Sequence, residues 1–295
     1  MAITDICFLF NTQSNSGKAL GREQELRQQV NLRWPDADII NTGADEYFWS
    51  DLQHRLRGYK TLVACGGDGT VHRTGNLAAR LGAVLGIVPM GSGNDFAHMM
   101  GIPKILPDAL DHLLKNDPRP IDLIKVDGDL DCFCLNTAGI GLDGLANHHT
   151  ELYKRTLGRA AYAAGALKAV KEITGTRMSV TTDGTKRTGK FLMVTACNGK
   201  REGGSFWVAP NAEPDDGLID LLIVKPMRLP LLLMALPMFL ISGPERMFNI
   251  NRTRCKKIEV ICREPVYMHV DGEYSSTHVK QLVFQVKPSA LKVIA

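Results

Sequence analysis

Three short stretches of the chain hold residues whose types and spacing suit phosphate and proton chemistry. They are Gly-Gly-Asp-Gly-Thr at 66–70, Gly-Ser-Gly-Asn-Asp at 91–95 and Asp-Gly-Glu at 271–273. Glycine has no Cβ, so backbone N–H groups beside it come close to phosphate oxygens, and a helix that starts there adds partial positive charge. Asp68, in the middle of the first bend, is a poor neighbour for phosphate unless a cation joins them. Mg²⁺, with its oxygen ligands, suits that place. A tight strand-to-helix turn is the plain alternative, although three glycines within residues 66–69 exceed what a turn requires. The stretch is neither G-x-x-x-x-G-K-[ST] nor G-x-G-x-x-G, which argues against a P-loop enzyme and an ordinary dinucleotide dehydrogenase.

In the second bend Gly91, Ser92 and Gly93 turn the chain, and Asn94 or Asp95 is placed to cap the helix that follows. Asp271-Gly272-Glu273 reads as a hairpin turn, and equally as a pair of carboxylates, one of which accepts a hydroxyl proton during phosphoryl transfer. The acidic stretch at 210–217 reads as a solvated turn closed by Gly217.

The elements that must position these groups alternate over the first 120 or so residues. Apolar runs at 6–10, 37–42, 61–65 and 83–88 predict strands, and 21–32, 44–56, the segment after the glycines and 108–115 predict helices. Such alternation implies a mostly parallel sheet covered on both faces, with ligands at the carboxyl ends of its strands. Two glycine bends after successive strands then lie side by side. Beyond residue 122 the spacing predicts hairpins about Asp127-Gly128 and Asp183-Gly184, a helical stretch over 152–173, and strands at 218–224, 256–262, 266–270 and 281–286. Short strands at close spacing indicate an antiparallel β-sandwich. The expected division is an α/β nucleotide-binding domain over 1–125 and a β-rich domain over 126–295.

At 295 residues the chain is long enough for two domains, and 44% hydrophobic with 22% charged residues is ordinary for a globular protein. The net charge of +4 is mild, and no basic run is dense enough to indicate nucleic acid. Seven cysteines without a Cys-x-x-Cys pair read as reduced, buried thiols rather than a zinc site. The first residues are too acidic and their apolar run too short for a secretory signal. His148 and His149 are adjacent and share no helix face, so they are not a metal pair but surface or supporting residues, and Trp34, Trp49 and Trp207 read as packing residues.

Gly-Gly-Asp-Gly-Thr followed by Pro-Met-Gly-Ser-Gly-Asn-Asp-Phe-Ala at 89–97 resembles the catalytic domain of the diacylglycerol kinase family, above all its stand-alone bacterial lipid kinases. The resemblance runs over nearly the whole chain through FCLNTAGIGLDG (133–144), CNGKREGGSFWVAPNAEPDDGLIDLLIV (197–224) and VDGEYS (270–275). It implies a nucleotide domain, a β-rich domain, a cleft between them, and transfer of phosphate from ATP, with Mg²⁺, to a lipid hydroxyl. By matched position it implies that Gly66, Gly67, Asp68, Gly69, Thr70, Val71, His72 and Arg73 line the phosphates, and that Asn11, Thr42 and Ser92 contact the nucleotide. It points to Glu273 as the base, to Asp68 as a holder of catalytic Mg²⁺ or of the hydroxyl, and to Asp271 in support. It also implies a structural Mg²⁺ held by Asp216 and the carbonyl oxygens of Glu213 and Leu218. The chain departs from the family pattern at Thr12, where proline is usual, and at His72-Arg73, where Asn-Glu is usual, so that Arg73 reverses a charge.

Residues 227–245 are the most apolar stretch, interrupted by Pro230 and Pro237 and too short to span a bilayer. They read as a helix packed on the sandwich, or as an apolar wall that admits acyl or prenyl chains and touches a membrane, with Lys225, Arg228 and Arg246 at anionic headgroups. The whole reads as a lipid kinase, cytoplasmic and peripheral to the inner face of the membrane; an exposed sheet edge offers a place for two copies to pair, so that a monomer and a homodimer both fit. An NAD kinase shares Gly-Gly-Asp-Gly-Thr but not residues 91–97 or the apolar 227–241. A catalytically silent nucleotide- or lipid-sensing module draws its support from His72 and Arg73. Diacylglycerol, phosphatidylglycerol, a polyprenol and a sphingoid base all fit as acceptor.

Overall fold

A computed structural model describes residues 5–14, 17–43, 46–157, 160–204, 206–241, 243, 249–274 and 278–295. The chain divides into two compact units, residues 1–121 with 289–295, and residues 122–288.

The first unit runs β1 (Ile6–Asn11), α1 (Glu23–Arg33), β2 (Asp38–Thr42), α2 (Glu46–Arg55), β3 (Thr61–Gly66), α3 (Asp68–Leu81), β4 (Val84–Pro89), α4 (Asp95–Met99) and α5 (Leu106–Lys115). Its strands are parallel in the order β2-β1-β3-β4. Phe8, Phe10, Val63 and Cys65 pack against Leu26 and Val30 of α1 and Leu106, Leu110 and Leu113 of α5. The alternate residues Leu9, Ala64, Leu85 and Ile87 are equally buried, and α3 packs on β3 and β4. Burial of both faces explains why these strands read as unbroken apolar runs. The register pairs Asn11 with Thr42, Phe10 with Cys65 and Gly66 with Pro89, which brings the carboxyl ends of all four strands to one edge. A fifth strand, the end of a long strand over Val279–Ile294, pairs parallel to β4 through Lys292 opposite Val84 and Val293 opposite Leu85.

The second unit begins within β5 (Pro118–Gly128) and continues with β6 (Cys132–Cys134), β7 (Thr137–Gly141), α6 (Leu142–Leu157), α7 (Ala160–Glu172), β8 (Thr176–Thr182), β9 (Thr185–Phe191) and β10 (Met193–Cys197). It then runs β11 (Arg201–Glu202), β12 (Phe206–Trp207), β13 (Ile219–Val224), α8 (Leu229–Ile241), β14 (Ile250–Cys255), β15 (Lys257–Val266), β16 (Met268–Val270), β17 (Glu273–Tyr274) and most of β18 (Val279–Ile294). One antiparallel sheet has the order β14-β13-β10-β7-β16-β17, and a second holds β18-β15-β8-β9 with β5 and β6. Both contribute to one core, including Ile124, Val180, Val194, Leu221, Val260 and Phe284. This is the antiparallel sandwich that the strand spacing predicts.

The Asp183-Gly184 hairpin is present as predicted: Thr182 faces Thr185, and φ is 44° at Asp183 and 88° at Gly184, the two positive values of a type I′ turn. The expected two-residue turn at Asp127-Gly128 is longer, because Val126 pairs with Cys132 and residues 127–131 make the connection. The helix expected over 152–173 is two helices, and the first begins at Leu142, directly after β7. Gly141, Gly144 and Asn147 make that start look like a loop, but burial of Leu145 and His149 overrides local propensity. All seven cysteines are free thiols, and six are buried.

Candidate active site

In the first unit the glycine bend is a strand end joined to a helix start. Gly66 closes β3, Gly67 is the N-cap of α3 with φ −94° and ψ −168°, and Asp68 is already helical. The opening turn of a helix has N–H groups without intrahelical partners, so this turn offers donors and the positive end of the dipole. Asp68 does not stand free. Its Oδ2 accepts the N–H of Asn94 at 2.8 Å and its Oδ1 accepts that of Asp95 at 2.7 Å. The sequence placed the cap of α4 on Asn94 or Asp95, whereas the acceptor is this carboxylate from the other bend. Asn94, in left-handed backbone with φ 60°, turns back on Gly91, accepting its N–H at 3.0 Å and donating to its carbonyl at 2.9 Å. The two bends touch backbone to backbone: a Cβ on Gly91 would lie 2.3 Å from the Cα of Gly67. Burial, followed by the charge of Asp95, pushes the Asp68 carboxyl up to about 7 against the opposing pull of the N–H donors.

The residues at the neighbouring strand ends join this edge. Asn11 donates to Thr70 Oγ1 at 3.1 Å, and Ser14 Oγ accepts the N–H of Gly67 at 3.3 Å. Thr42 is buried at the end of β2, and its Oγ1 has no hydrogen-bond partner among the described residues. Ser92 and His72 are half-buried, and Val71 is buried on α3. The Arg73 guanidinium lies over the Trp49 ring, 5.7 Å from its centroid, so its charge rests against α2.

In the second unit, Asp271-Gly272 is a two-residue turn that sets Val270 opposite Glu273, with φ 53° at Asp271 and 80° at Gly272. The hairpin reading and the acidic-site reading therefore describe one object. Asp271 is buried, and its carboxylate accepts the N–H groups of Leu135 at 3.0 Å, Asn136 at 2.7 Å and Thr137 at 3.2 Å, with the Cys134 thiol at 3.2 Å. It fixes the bend between β6 and β7, while Glu273 follows it, half-buried, at the start of β17.

One constellation was not singled out in the sequence. Asp143 at the start of α6, Glu202 on β11 and His269 on β16 present ligand atoms that all lie within 4.8 Å of one another. His269 is fully buried; its Nε2 is 3.1 Å from Asp143 Oδ2, off the line of a straight N–H···O bond, and 3.5 Å from Glu202 Oε2. Its Nδ1 lies 3.3 Å from the N–H of Gly272, and its Nε2 faces the acids. Thr195 donates to Asp143 at 2.7 Å and Thr137 to Glu202 at 3.0 Å. Burial raises the Asp143 carboxyl, but His269, Glu202 and Thr195 outweigh it and hold the group well below the usual carboxylate range. Gly139 makes room for the cluster, because a Cβ there would lie 1.9 Å from Asp143 Oδ2. The legible signal was the lone acid in Gly-Ile-Gly-Leu-Asp-Gly.

Asp143 and Glu202, with Asn147 and Thr150, also line a mostly apolar pocket that opens to solvent, with walls that include Leu142, Ala146, Val170, Met193, Val224 and Phe239. A mostly apolar chamber carrying a buried and a half-buried carboxylate suits a molecule with a long apolar tail and a polar head.

In the 213–218 loop, Asp216 Oδ1 accepts the N–H of Leu218 at 3.0 Å, and the buried Asp122 accepts that of Gly217 at 2.6 Å. Asp216 Oδ2 is buried without a hydrogen bond, 3.4 Å from Arg254 Nη1. A hard cation at Asp216 would have to share this oxygen with the Arg254 guanidinium. His148 stacks on Tyr267 at 5.0 Å, whereas His149 is buried, not superficial, and meets Glu172 at 2.7 Å, tying α6 to α7. Arg246 lies outside the described residues.

Residues 5–126 match the diacylglycerol kinase catalytic domain, and residues 136–295 match the YegS C-terminal NAD kinase beta sandwich-like domain. A probable lipid kinase YegS-like from Pseudomonas aeruginosa is 32% identical over 285 residues, 96% of this chain and 89% of that protein. A diacylglycerol kinase from Bacillus subtilis is 30% identical over 224 residues, 74% of this chain and 73% of that protein. Among solved structures, a putative diacylglycerol kinase from Bacillus anthracis superposes with a TM-score of 0.79 at 23% identity, covering 98% of this chain and 96% of that one. An NAD kinase from Archaeoglobus fulgidus, solved with ATP, shares the fold more distantly, with a TM-score of 0.56 at 12% identity and coverage of 98% and 93%.

Proposed function

The chain belongs to the diacylglycerol kinase family of lipid kinases, with a YegS-type C-terminal domain, and we propose that it transfers the γ-phosphate of ATP, in the presence of Mg²⁺, to the hydroxyl of a lipid. The observation that carries the lipid reading is the apolar pocket with Asp143 and Glu202 in its wall. A dinucleotide acceptor, as in an NAD kinase, would meet walls that are mostly hydrocarbon there.

Phosphoryl transfer asks for position and electrostatics more than for covalent help. In the first unit the N–H groups of the opening turn of α3 hold phosphate oxygens, and Asp68 locks the second bend against the first. Asn11 and Thr42 meet the nucleotide at the strand ends, and the unpartnered Thr42 hydroxyl supports that role. In the second unit Glu273 accepts the proton of the lipid hydroxyl as its oxygen bonds to the γ-phosphorus and ADP departs. Asp271 holds the backbone that carries Glu273. Mg²⁺ bound with the nucleotide supplies neutralisation of the phosphate charge. A second, structural Mg²⁺ would be held by Asp216 and the carbonyls of Glu213 and Leu218, in competition with Arg254 for the Asp216 oxygen.

Purified protein incubated with γ-labelled ATP, Mg²⁺ and diacylglycerol, phosphatidylglycerol, a polyprenol or a sphingoid base, with NAD as a separate acceptor, tests this. Label in one lipid is expected. Label in NADP alone, or ATP binding without transfer to any acceptor, would overturn the reading.

A further inference from the structure

Helix α8 is apolar on every side yet only half covered. Leu232 and Ala235 are buried and Leu236 and Phe239 half-buried, an i, i+3, i+4, i+7 stripe that forms part of the wall of the apolar pocket. The opposite side is no ordinary solvent face. Leu229, Leu233, Met234, Met238, Leu240 and Ile241 are all exposed, Met234 at 69% and Ile241 at 77%. A soluble helix normally shows water a polar face, and a helix apolar all round belongs in a core or in lipid. With 13 residues α8 is about 20 Å long, well short of the ~30 Å hydrocarbon core, so it cannot cross a bilayer.

Charge selects the occupant. Residues 221–244 contain no acid, and the exposed Lys225 and Arg228 stand immediately before the helix. Cations beside an apolar face complement the anionic headgroups and acyl layer of a membrane surface. A protein groove would be met as well by an uncharged or acidic flank, and nothing in α8 offers the polar rim of a protein interface.

We propose that α8 is an interfacial helix: its outer face enters the headgroup–acyl boundary of an anionic bilayer while its inner face walls the pocket. One helix then separates the pocket from the membrane by a single layer of side chains, and a lipid tail passes beside it without crossing water. The direction of entry rests on the pocket being the lipid site, whereas the membrane contact does not.

The test is flotation of the full-length protein, without nucleotide, on phosphatidylethanolamine/phosphatidylglycerol vesicles and on phosphatidylcholine vesicles. Co-flotation with the anionic vesicles is expected. Leu233→Glu with Met234→Glu, both at exposed positions, is expected to lower vesicle partition at least about tenfold with an unchanged unfolding midpoint. Lys225→Glu with Arg228→Glu is expected to remove the preference for anionic vesicles. Failure of the unaltered protein to float, or undiminished flotation of the Leu233/Met234 variant, would overturn the proposal. So would light scattering that finds a dimer dissolved by that variant, since the face would then be a protein contact. Phosphotransfer to a short-chain, water-dispersed lipid reads the kinase function separately: retained transfer without flotation defeats the membrane contact alone, and flotation without transfer defeats the kinase reading alone.

Discussion

The backbone N–H of Asp95 donates to the carboxylate of Asp68 at 2.7 Å, so the acid at the centre of one glycine bend is held by the chain of the other. With the Asn94 N–H at 2.8 Å, both oxygens of Asp68 are occupied. Asp68→Ala is therefore expected to leave part-buried N–H groups without an acceptor, at roughly 1–3 kcal/mol each, and to lose most phosphotransfer while the protein remains folded. Urea unfolding and the labelled-ATP assay check both parts. Normal turnover would remove Asp68 from the machinery.

Asp68 and Asp143 should give stability opposite slopes with pH. The Asp68 carboxyl, raised from 3.8 to about 7, binds its proton more tightly folded than unfolded, so its contribution is complete below about pH 4 and falls as pH rises towards 7. The Asp143 carboxyl is depressed, so its contribution is present above about pH 4 and lost in acid. The stability difference between the unaltered protein and Asp68→Asn should therefore shrink as pH rises, and that for Asp143→Asn should shrink as pH falls. Thermal unfolding from pH 3 to 8 measures both, and parallel curves would refute the assignments.

Gly91→Ala places a methyl group 2.3 Å from the Cα of Gly67, where only backbone movement can relieve it. Overpacking of this kind costs about 1–3 kcal/mol. Affinity for a non-hydrolysable ATP analogue should drop at least about tenfold by calorimetry, while lipid binding in the second unit is unchanged.

Glu273→Gln keeps the shape of the hairpin and removes its base. Turnover should decline by roughly 10²- to 10⁴-fold, with nucleotide affinity and the unfolding midpoint unaltered. Turnover within a few-fold of the unaltered protein would leave the base to another group.

The fold was largely legible because its signals are local. Both faces of the parallel strands are buried, so Ile6–Phe10 and Thr61–Cys65 announce themselves as apolar runs, and Asp183-Gly184 supplies the positive φ values that its turn demands. The site was legible only where one loop holds it. Asp68 could be picked out, but its partners lie in another bend, and capping residues are ordinarily sought next to their own helix. Asp143, Glu202 and His269 come from a helix and two different strands, and in Tyr-Met-His-Val the histidine reads as one more strand residue. In α8 every position is apolar, so the stripe that faces the pocket is invisible against a background of the same composition.

The parallel pairing of Lys292 and Val293 with Val84 and Leu85 separates the order of synthesis from the order of folding. A ribosome finishes residues 1–121 and then makes all of 122–288 before the strand that covers the outer edge of β4 emerges. At 5–20 residues per second the nascent sheet waits on the order of 10–30 s with that edge bare. The first unit is thus no free-standing cassette: an expression clone cut at residue 121 would carry an open flank ready to stick to its own copies.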